Sequence, residues 1–325
     1  MPKGELVLLD EGDFDGSVDY QSFTKTVKLN SIHKETSFPI DIPYKPYKLY
    51  VIIQVKHEKS YIPRWRLWLD NFSLTKEFKP NFEVETNDNQ ILSTIIYDIT
   101  PIIKEGRHDI IISHPSIHTL SVLNVSTISF YKIEGFNTKY KLSIGSLILN
   151  PNEKVVFPLL DKSYFIVKNE SKFGNLKFTD NNGNIIYNSF PSNDSDEVEV
   201  EGKRELVASL ESTNEKDYGV ILASYSLTEK VPKINIDVDS KIDGGYIHLI
   251  LRNNSEINLD KLIVNIMING IQAHFKSFNN INSNSSFDLK LPLQSWQNKK
   301  TNIVNIRIVG VKGGYRHIVD KQVNL

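Results

Sequence analysis

Residues 97–113 read YDITPIIKEGRHDIIIS, and how this stretch ends one strand and begins another sets the expected architecture. Thr100 is placed to cap a single helical turn, and Pro101 suits the first position because its missing N–H has no partner there anyway. Gly106 can take the positive φ that ends the turn. One turn then carries the chain between two sheets. Ile110, Ile111 and Ile112 are apolar on both parities, which predicts a strand covered on both faces.

Working outward, the period is two nearly everywhere. FTKTVKL (23–29), YKLYVIIQV (47–55), WRLWL (65–69), TISFYKI (127–133), GYIHLILR (245–252), LIVNIMI (262–268) and NIVNIRIVGV (302–311) are short β-branched or aromatic runs separated by Gly, Asn, Asp and Pro clusters. That spacing reads as sandwiches or jelly rolls, and no segment sustains a helical apolar stripe. Asn-Gly sits between alternating runs in FTDNNGNIIY (178–187) and IMINGIQAHF (266–275), the signature of hairpins whose type I′ turn needs positive φ at both central residues. The chain has 325 residues, more than one core usually supports. Breaks in the strand pattern near 132–140 and 227–235 divide it into three domains: 1–135, 136–230 and 231–325. The expected fold class is all-β, three β-sandwich domains.

Two resemblances refine this. YDITPIIKEGRHDIIIS resembles the corner motif of galactose-binding-like jelly rolls, over residues 1–135, with Arg107 and His108 where that pattern usually has Glu and Asn. The motif marks a fold and carries no sugar-contacting residue. GYIHLILRNNSEINLDKLIVNIMINGI (245–271) is similar to the CARDB type of immunoglobulin-like module, with NINSNSSFDL replacing its usual Pro-Gly turn. The resemblance implies a spacer, adhesive unit or docking platform. Residues 136–230 form a sandwich of unassigned type.

Composition bounds the function. A formal net charge of −1 supplies no field to attract nucleic acid or anionic lipid. The start lacks the charged end and apolar core of a signal peptide, and no long apolar window spans a membrane, so a cytoplasmic or particle-associated protein is expected unless a leader was removed. With no Cys, disulfides, thiolate nucleophiles and zinc ribbons are excluded together. Phosphate-loop, dinucleotide and nucleophile-elbow motifs are absent, and HEKSY (57–61) has Tyr61 where a zinc-binding second His would stand. The chain reads as non-enzymatic.

Candidate sites are few. In RWRLWLD (64–70), Trp65, Leu67 and Leu69 share one face, leaving Arg64, Arg66, Trp68 and Asp70 on the other. A Trp flanked by arginines and a carboxylate suits a protein contact, a glycan or a ring half covered by a neighbouring loop. Asp13, Asp15, Ser17 and Asp19 share a parity, so an extended chain would aim hard oxygen ligands one way, and Asp13, Asp15 and Asp19 are candidate ligands of a structural calcium; a solvated strand is the competing reading. No other cofactor is expected. His108, His114 and His118 read as surface or capping histidines, because Pro115 prevents the helix that would align a ligand pair. Glu197, Glu199 and Glu201 alternate with valines, as on a solvated outer strand. Six N-x-[ST] sequons occur, at Asn71, Asn124, Asn169, Asn193, Asn253 and Asn284; chance in so Asn-rich a chain gives about four, so they do not argue for secretion. The expected role is protein–protein binding or structural assembly, with carbohydrate binding through the Trp68 face as the alternative.

Overall fold

The computed structural model describes residues 2–75, 79–293, 303–313 and 315–324, and every regular element among them is a β-strand. No helix among them is long and apolar enough to cross a membrane. The chain divides into two compact units: Met1–Lys132 with Asn137–Glu229, and Ile133–Phe136 with Lys230–Leu325.

Four sheets build the larger unit. The first runs β4 (Glu35–Ile42), β10 (Gly106–Ser113), β6 (Arg66–Leu69) and β7 (Phe72–Ser73). The second runs β2 (Ser17–Phe23), β11 (Leu120–Tyr131), β5 (Lys48–Glu58), β9 (Gln90–Asp98) and β8 (Phe82–Glu85), with β3 (Val27–Leu29) also on β11. The third runs β1 (Lys3–Phe14), β12 (Asn137–Leu149), β19 (Gly219–Lys230), β14 (Lys162–Asn169) and β17 (Asp196–Glu201). The fourth runs β13 (Lys154–Pro158), β18 (Glu205–Glu211), β15 (Asn175–Thr179) and β16 (Ile185–Ser189).

Side-chain parity stacks these sheets as layers. Phe38, Ile40, Leu67, Leu69, Ile110 and Ile112 of the first sheet are buried, and Phe38 packs on Phe23 of the second. Ile52, Ile128 and Phe130 of the second join Leu142, Ile144, Ile166 and Val220 of the third in one core. Phe165, Val167 and Ile221 of the third join Phe178, Leu206 and Leu210 of the fourth in another. The second sheet is therefore covered on both faces, which explains why nearly every residue of β11 is buried and why alternation fails in LYVIIQV. The expected division at residue 135 separates segments whose contacts group as one unit. Its cause is visible in β1, which pairs antiparallel with β12 from Lys3↔Ile148 to Phe14↔Thr138.

Between the second and third sheets lies a buried polar contact. A β-bulge where β14 pairs with β19 skips Leu222, between Ile166↔Ala223 and Val167↔Ile221, and takes its carbonyl out of the regular ladder. Gln54 Nε2 of β5 donates to Leu222 O at 2.5 Å and to Gly145 O at 2.8 Å. Asn124 Nδ2 donates to Gln54 Oε1 at 3.0 Å, and Thr94 Oγ1 donates to Gly145 O at 3.2 Å. Gly145 has no alternative residue, since a Cβ there would meet Glu5 O at 2.2 Å.

The opening stretch forms its turn by other means than expected. Ile102 N and Ile103 N both donate to Ile99 O, at 3.0 and 3.1 Å, but the Thr100 hydroxyl accepts from Leu49 N at 2.8 Å instead of capping. Gly106 has φ +120° and opens β10 rather than closing the turn. Ile110 and Ile112 are buried, whereas Ile111 is only half-buried on the outer face, so β10 is not covered on both sides. The two Asn-Gly turns also differ. Asn269 and Gly270 have φ +51° and +81°, as a type I′ hairpin requires. At 178–187 only Gly183 takes positive φ, because the Asp180 carboxylate accepts from Asn182 N at 3.0 Å and Asn184 N at 2.9 Å and holds a longer loop.

In the smaller unit β20 (Ile236–Asp243), β21 (Tyr246–Asn253) and β24 (Ser285–Pro292) form one sheet, and β23 (Ile271–Ile281), β22 (Leu259–Ile268), β25 (Ile303–Lys312) and β26 (Tyr315–Asn324) the other. Ile247, Leu249 and Leu251 meet Leu262, Val264, Ile266, Ile306 and Ile308 in its core. Asn302, first residue of the expected late strand, lies outside the described residues.

Two outcomes follow. Gln54→Met leaves the Leu222 carbonyl without its donor and lowers unfolding stability in urea by about 2 to 3 kcal/mol with an unchanged β-sheet spectrum; a loss under about 0.5 kcal/mol would dismiss the contact. Hydrogen bonds, first from the Asn184 side chain, then from its backbone and from Lys203, hold the Asp180 carboxyl below the ordinary carboxylate value. The stability this adds is complete above an ordinary carboxylate pKa and is lost as pH falls through the lower folded-state value. The melting-temperature gap between wild type and Asp180→Asn should therefore narrow between about pH 5 and about pH 2; a constant gap refutes it.

Candidate functional site

The RWRLWLD strand is oriented as its parity predicts. Trp65, Leu67 and Leu69 are buried at 4%, 0% and 4% exposure, which leaves Arg66 and Trp68 on the outer face of the first sheet. There Trp68 lies opposite Ile111 and Ser73, Arg66 opposite Ser113, and Ile111 opposite Ser37. Trp68 is half-buried, and Arg66 and Arg64 are exposed. Asp70 is used by the fold. With φ +51° it turns the chain toward β7, Oδ1 accepts from Asp109 N at 2.8 Å, and Oδ2 lies 2.7 Å from His108 Nδ1. Burial opposes ionisation of this carboxyl, but the His108 and Asp109 bonds outweigh it and hold its pKa below the ordinary value. The strand thus brings Arg66 and Trp68 together and commits Asp70 elsewhere.

The aspartates proposed for calcium do not converge. The chain leaves the third sheet at Phe14 and enters the second at Ser17 through Gly16, where a Cβ would meet Tyr131 O at 2.1 Å. That crossing breaks the shared parity. Asp13 faces Lys139 in the β1–β12 pairing, Asp15 accepts from Asn137 Nδ2 at 3.1 Å, and Asp19 is half-buried in β2 beside Gln21, its pKa raised by burial. Among the described residues no group of three or more His, Cys, Asp or Glu side chains is arranged to hold a metal ion. The ring nitrogens of His114 face Arg64 O and His118 O, and His118 stacks on Tyr61. The acidic row of β17 is likewise occupied: Glu197 accepts from Tyr20 and Ser22, Glu199 from Tyr164, and Glu201 pairs with Lys162. Of the six sequons, Asn124, Asn169 and Asn253 are buried at 0%, 2% and 2% exposure.

Two surfaces escaped the sequence reading. One is a polar cleft of about 320 Å³ at the end of the seam between the second and third sheets. Lys28, Ser121 and Lys56 stand side by side on β3, β11 and β5. Lys168 and Glu170 face them from β14 and the residues after it. Lys56 Nζ is 2.8 Å and Lys168 Nζ 3.9 Å from Glu170 Oε1, and Lys168 also donates to Asn193 O at 2.5 Å. The Lys168 side chain is only 4% exposed. Burial first, and then repulsion by Lys56, push its pKa down against the pull of Glu170. Five separate segments supply these groups, so no spacing in the chain announces them.

The other surface is the outer face of the four-stranded sheet in the smaller unit. Ser277, Ile263, Val309 and Ile318 form one cross-strand row, and Phe275, Asn265, Arg307 and Asp320 the next. Phe275 is 56% and Ile318 53% exposed. Arg307 makes a two-pronged ion pair with Asp320, at 2.8 and 2.9 Å.

No protein-family model matches the chain, and no curated protein matches it. Solved structures do, among them those of Ruminococcus gnavus β-glucuronidase. The complex with uronic isofagomine matches at 8% identity over 57% of this chain and 34% of that one, with TM-score 0.22. The complex with uronic deoxynojirimycin matches at 10% over 57% and 36%, with TM-score 0.23. The complex with D-glucaro-d-lactam matches at 10% over 59% and 36%, with TM-score 0.22. The match thus spans little more than a third of those chains. At such scores the architecture rests on the strands themselves, and nothing of the glycosidase chemistry transfers.

Proposed function

We propose that this is a non-catalytic β-sandwich protein that works in protein–protein binding and structural assembly through its sheet faces. One observation supports it above the others: on a four-stranded sheet of the smaller unit, exposed Phe275 and Ile318 and half-buried Ile263, Met267 and Val309 stand around the Arg307–Asp320 pair. Aromatic, Met and Arg side chains around an apolar centre are the composition of contact surfaces. A face carrying both an arginine and an aspartate beside its apolar row is also complementary to a second copy of itself. The long strands β23 and β26 lie at the edges of that sheet and offer a second means of association. The three-plus-four antiparallel strands support an immunoglobulin-like, CARDB-type module here. The facing first and second sheets support a galactose-binding-like jelly roll at the N-terminal end.

A carbohydrate-binding module is the second reading, favoured by Trp68 and Arg66 standing together on the outer face of the first sheet. An indole beside a guanidinium offers a stacking plane and donors to a sugar.

Light scattering after size-exclusion chromatography separates the two readings. Assembly predicts a wild-type mass that rises with concentration above that of the monomer, and a Phe275→Asp/Ile318→Asp variant that stays monomeric with unchanged melting. A wild type that stays monomeric throughout, is retained on a polysaccharide matrix and loses that retention on Trp68→Ala would replace the assembly reading with the carbohydrate one.

A further inference from the structure

We propose that the cleft between the second and third sheets is a binding site for a small, hydroxyl-bearing molecule carrying an oxyanion, held between Lys28, Lys56 and Lys168. The proposal is independent of the sheet-face reading, since no residue is shared.

The argument starts from charge. Three ammonium groups line the cleft, and Glu170 is the lining carboxylate that pairs with them, at 2.8 Å from Lys56 and 3.9 Å from Lys168. Asp88, outside the lining, lies 3.8 Å from Lys56. The other lining carboxylate, Glu58, lies 3.5 Å from His118 Nδ1. Asp194, next to the lining, accepts from Thr26 N at 2.9 Å. Lys28 has no side-chain partner among the described residues. The cleft therefore carries no surplus charge as a whole; Lys28 is the lining ammonium left without a carboxylate, and it is the group open to an anion.

Geometry shows why the lysines hold this position. Lys28 and Lys56 flank Ser121 in one cross-strand row, so both ammonium groups leave the second sheet on the same side, toward Lys168. Lys168 is buried, and its bond to Asn193 O fixes where its charge sits. Burying an ammonium that shares one carboxylate with a second lysine is costly, and a fold that needed only packing there would place an apolar residue. Glu170 itself demonstrates that an anionic oxygen fits between Lys56 and Lys168. The hydroxyls of Thr26, Thr119, Ser121 and Ser192 line the rest of the cleft, which favours a ligand rich in hydroxyls over an apolar one.

Titration calorimetry at low ionic strength tests this with three probes: gluconate, inorganic sulfate and inorganic phosphate. Saturable binding of at least one is expected, gluconate strongest if the hydroxyls contribute. Lys28 is exposed and outside every core, so Lys28→Ala keeps the fold. It should weaken binding about tenfold or more, as loss of a charge-assisted contact does. Lys276→Ala, on the smaller unit, should leave binding unchanged. Lys168→Met serves as the second arm: with an unchanged circular dichroism spectrum it should abolish binding. No saturable binding by any probe, or equal affinity in wild type and Lys28→Ala, would overturn the proposal.

Discussion

The larger unit depends on one constraint: a sheet covered on both faces has little solvent for its buried polar side chains, so its central amide is met from a neighbouring layer. The second sheet is that sheet. Its Gln54 amide reaches the carbonyls of Leu222 and Gly145 on the third sheet. The Leu222 carbonyl needs this donor because a bulge has taken it out of register. The same bulge puts Leu222 and Ala223 in the core toward the second sheet while Ile221 joins the core on the other side. A local irregularity and a long side chain thus fix the register of two sandwiches with respect to each other.

From this constraint follows where polar chemistry gathers. Along the seam the two sheets meet through Ile52, Ile128, Ile144 and Val220, and lysines of β5 stand at either end of it, Lys48 on Asp10 and Lys56 on Glu170. Lys56 extends the parity of Ile52 and Gln54 by one more step, so the strand that is apolar in the middle becomes cationic where the seam opens. The cleft is the open end of a core rather than a pit in a surface.

The sequence shows the strands, the hairpin at Asn269-Gly270 and the inward set of Trp65, Leu67 and Leu69, because each is written in neighbouring residues. It shows the turn at Ile99–Ile103 but not its bonding, since the Thr100 hydroxyl answers to Leu49, 51 positions away. Parity misleads where the backbone changes sheets: Gly16 passes the chain from the third sheet to the second, and Asp13 and Asp19 are carried apart. Composition misleads at Asp70, which alternates outward on paper yet is turned by its positive φ to bind Asp109 N. The layering was hidden for a deeper reason. Which sandwich packs on which depends on pairings such as β1 with β12, across more than a hundred residues, and no local pattern encodes a partner that distant.

The buried asparagines have a bearing on how the protein is made. Asn124 donates to Gln54 and Ser126, Asn169 to Gly174 O and Ser189 O, and Asn253 to Asn282 O. Each of these amides also begins an acceptor sequence for oligosaccharide. A sugar tree attached to the nascent polypeptide at any of the three would stand where another layer or loop must close. Production in a host lacking that modification spares the chain this conflict, while secretion through a eukaryotic pathway would set attachment and closure in competition at three points of its interior.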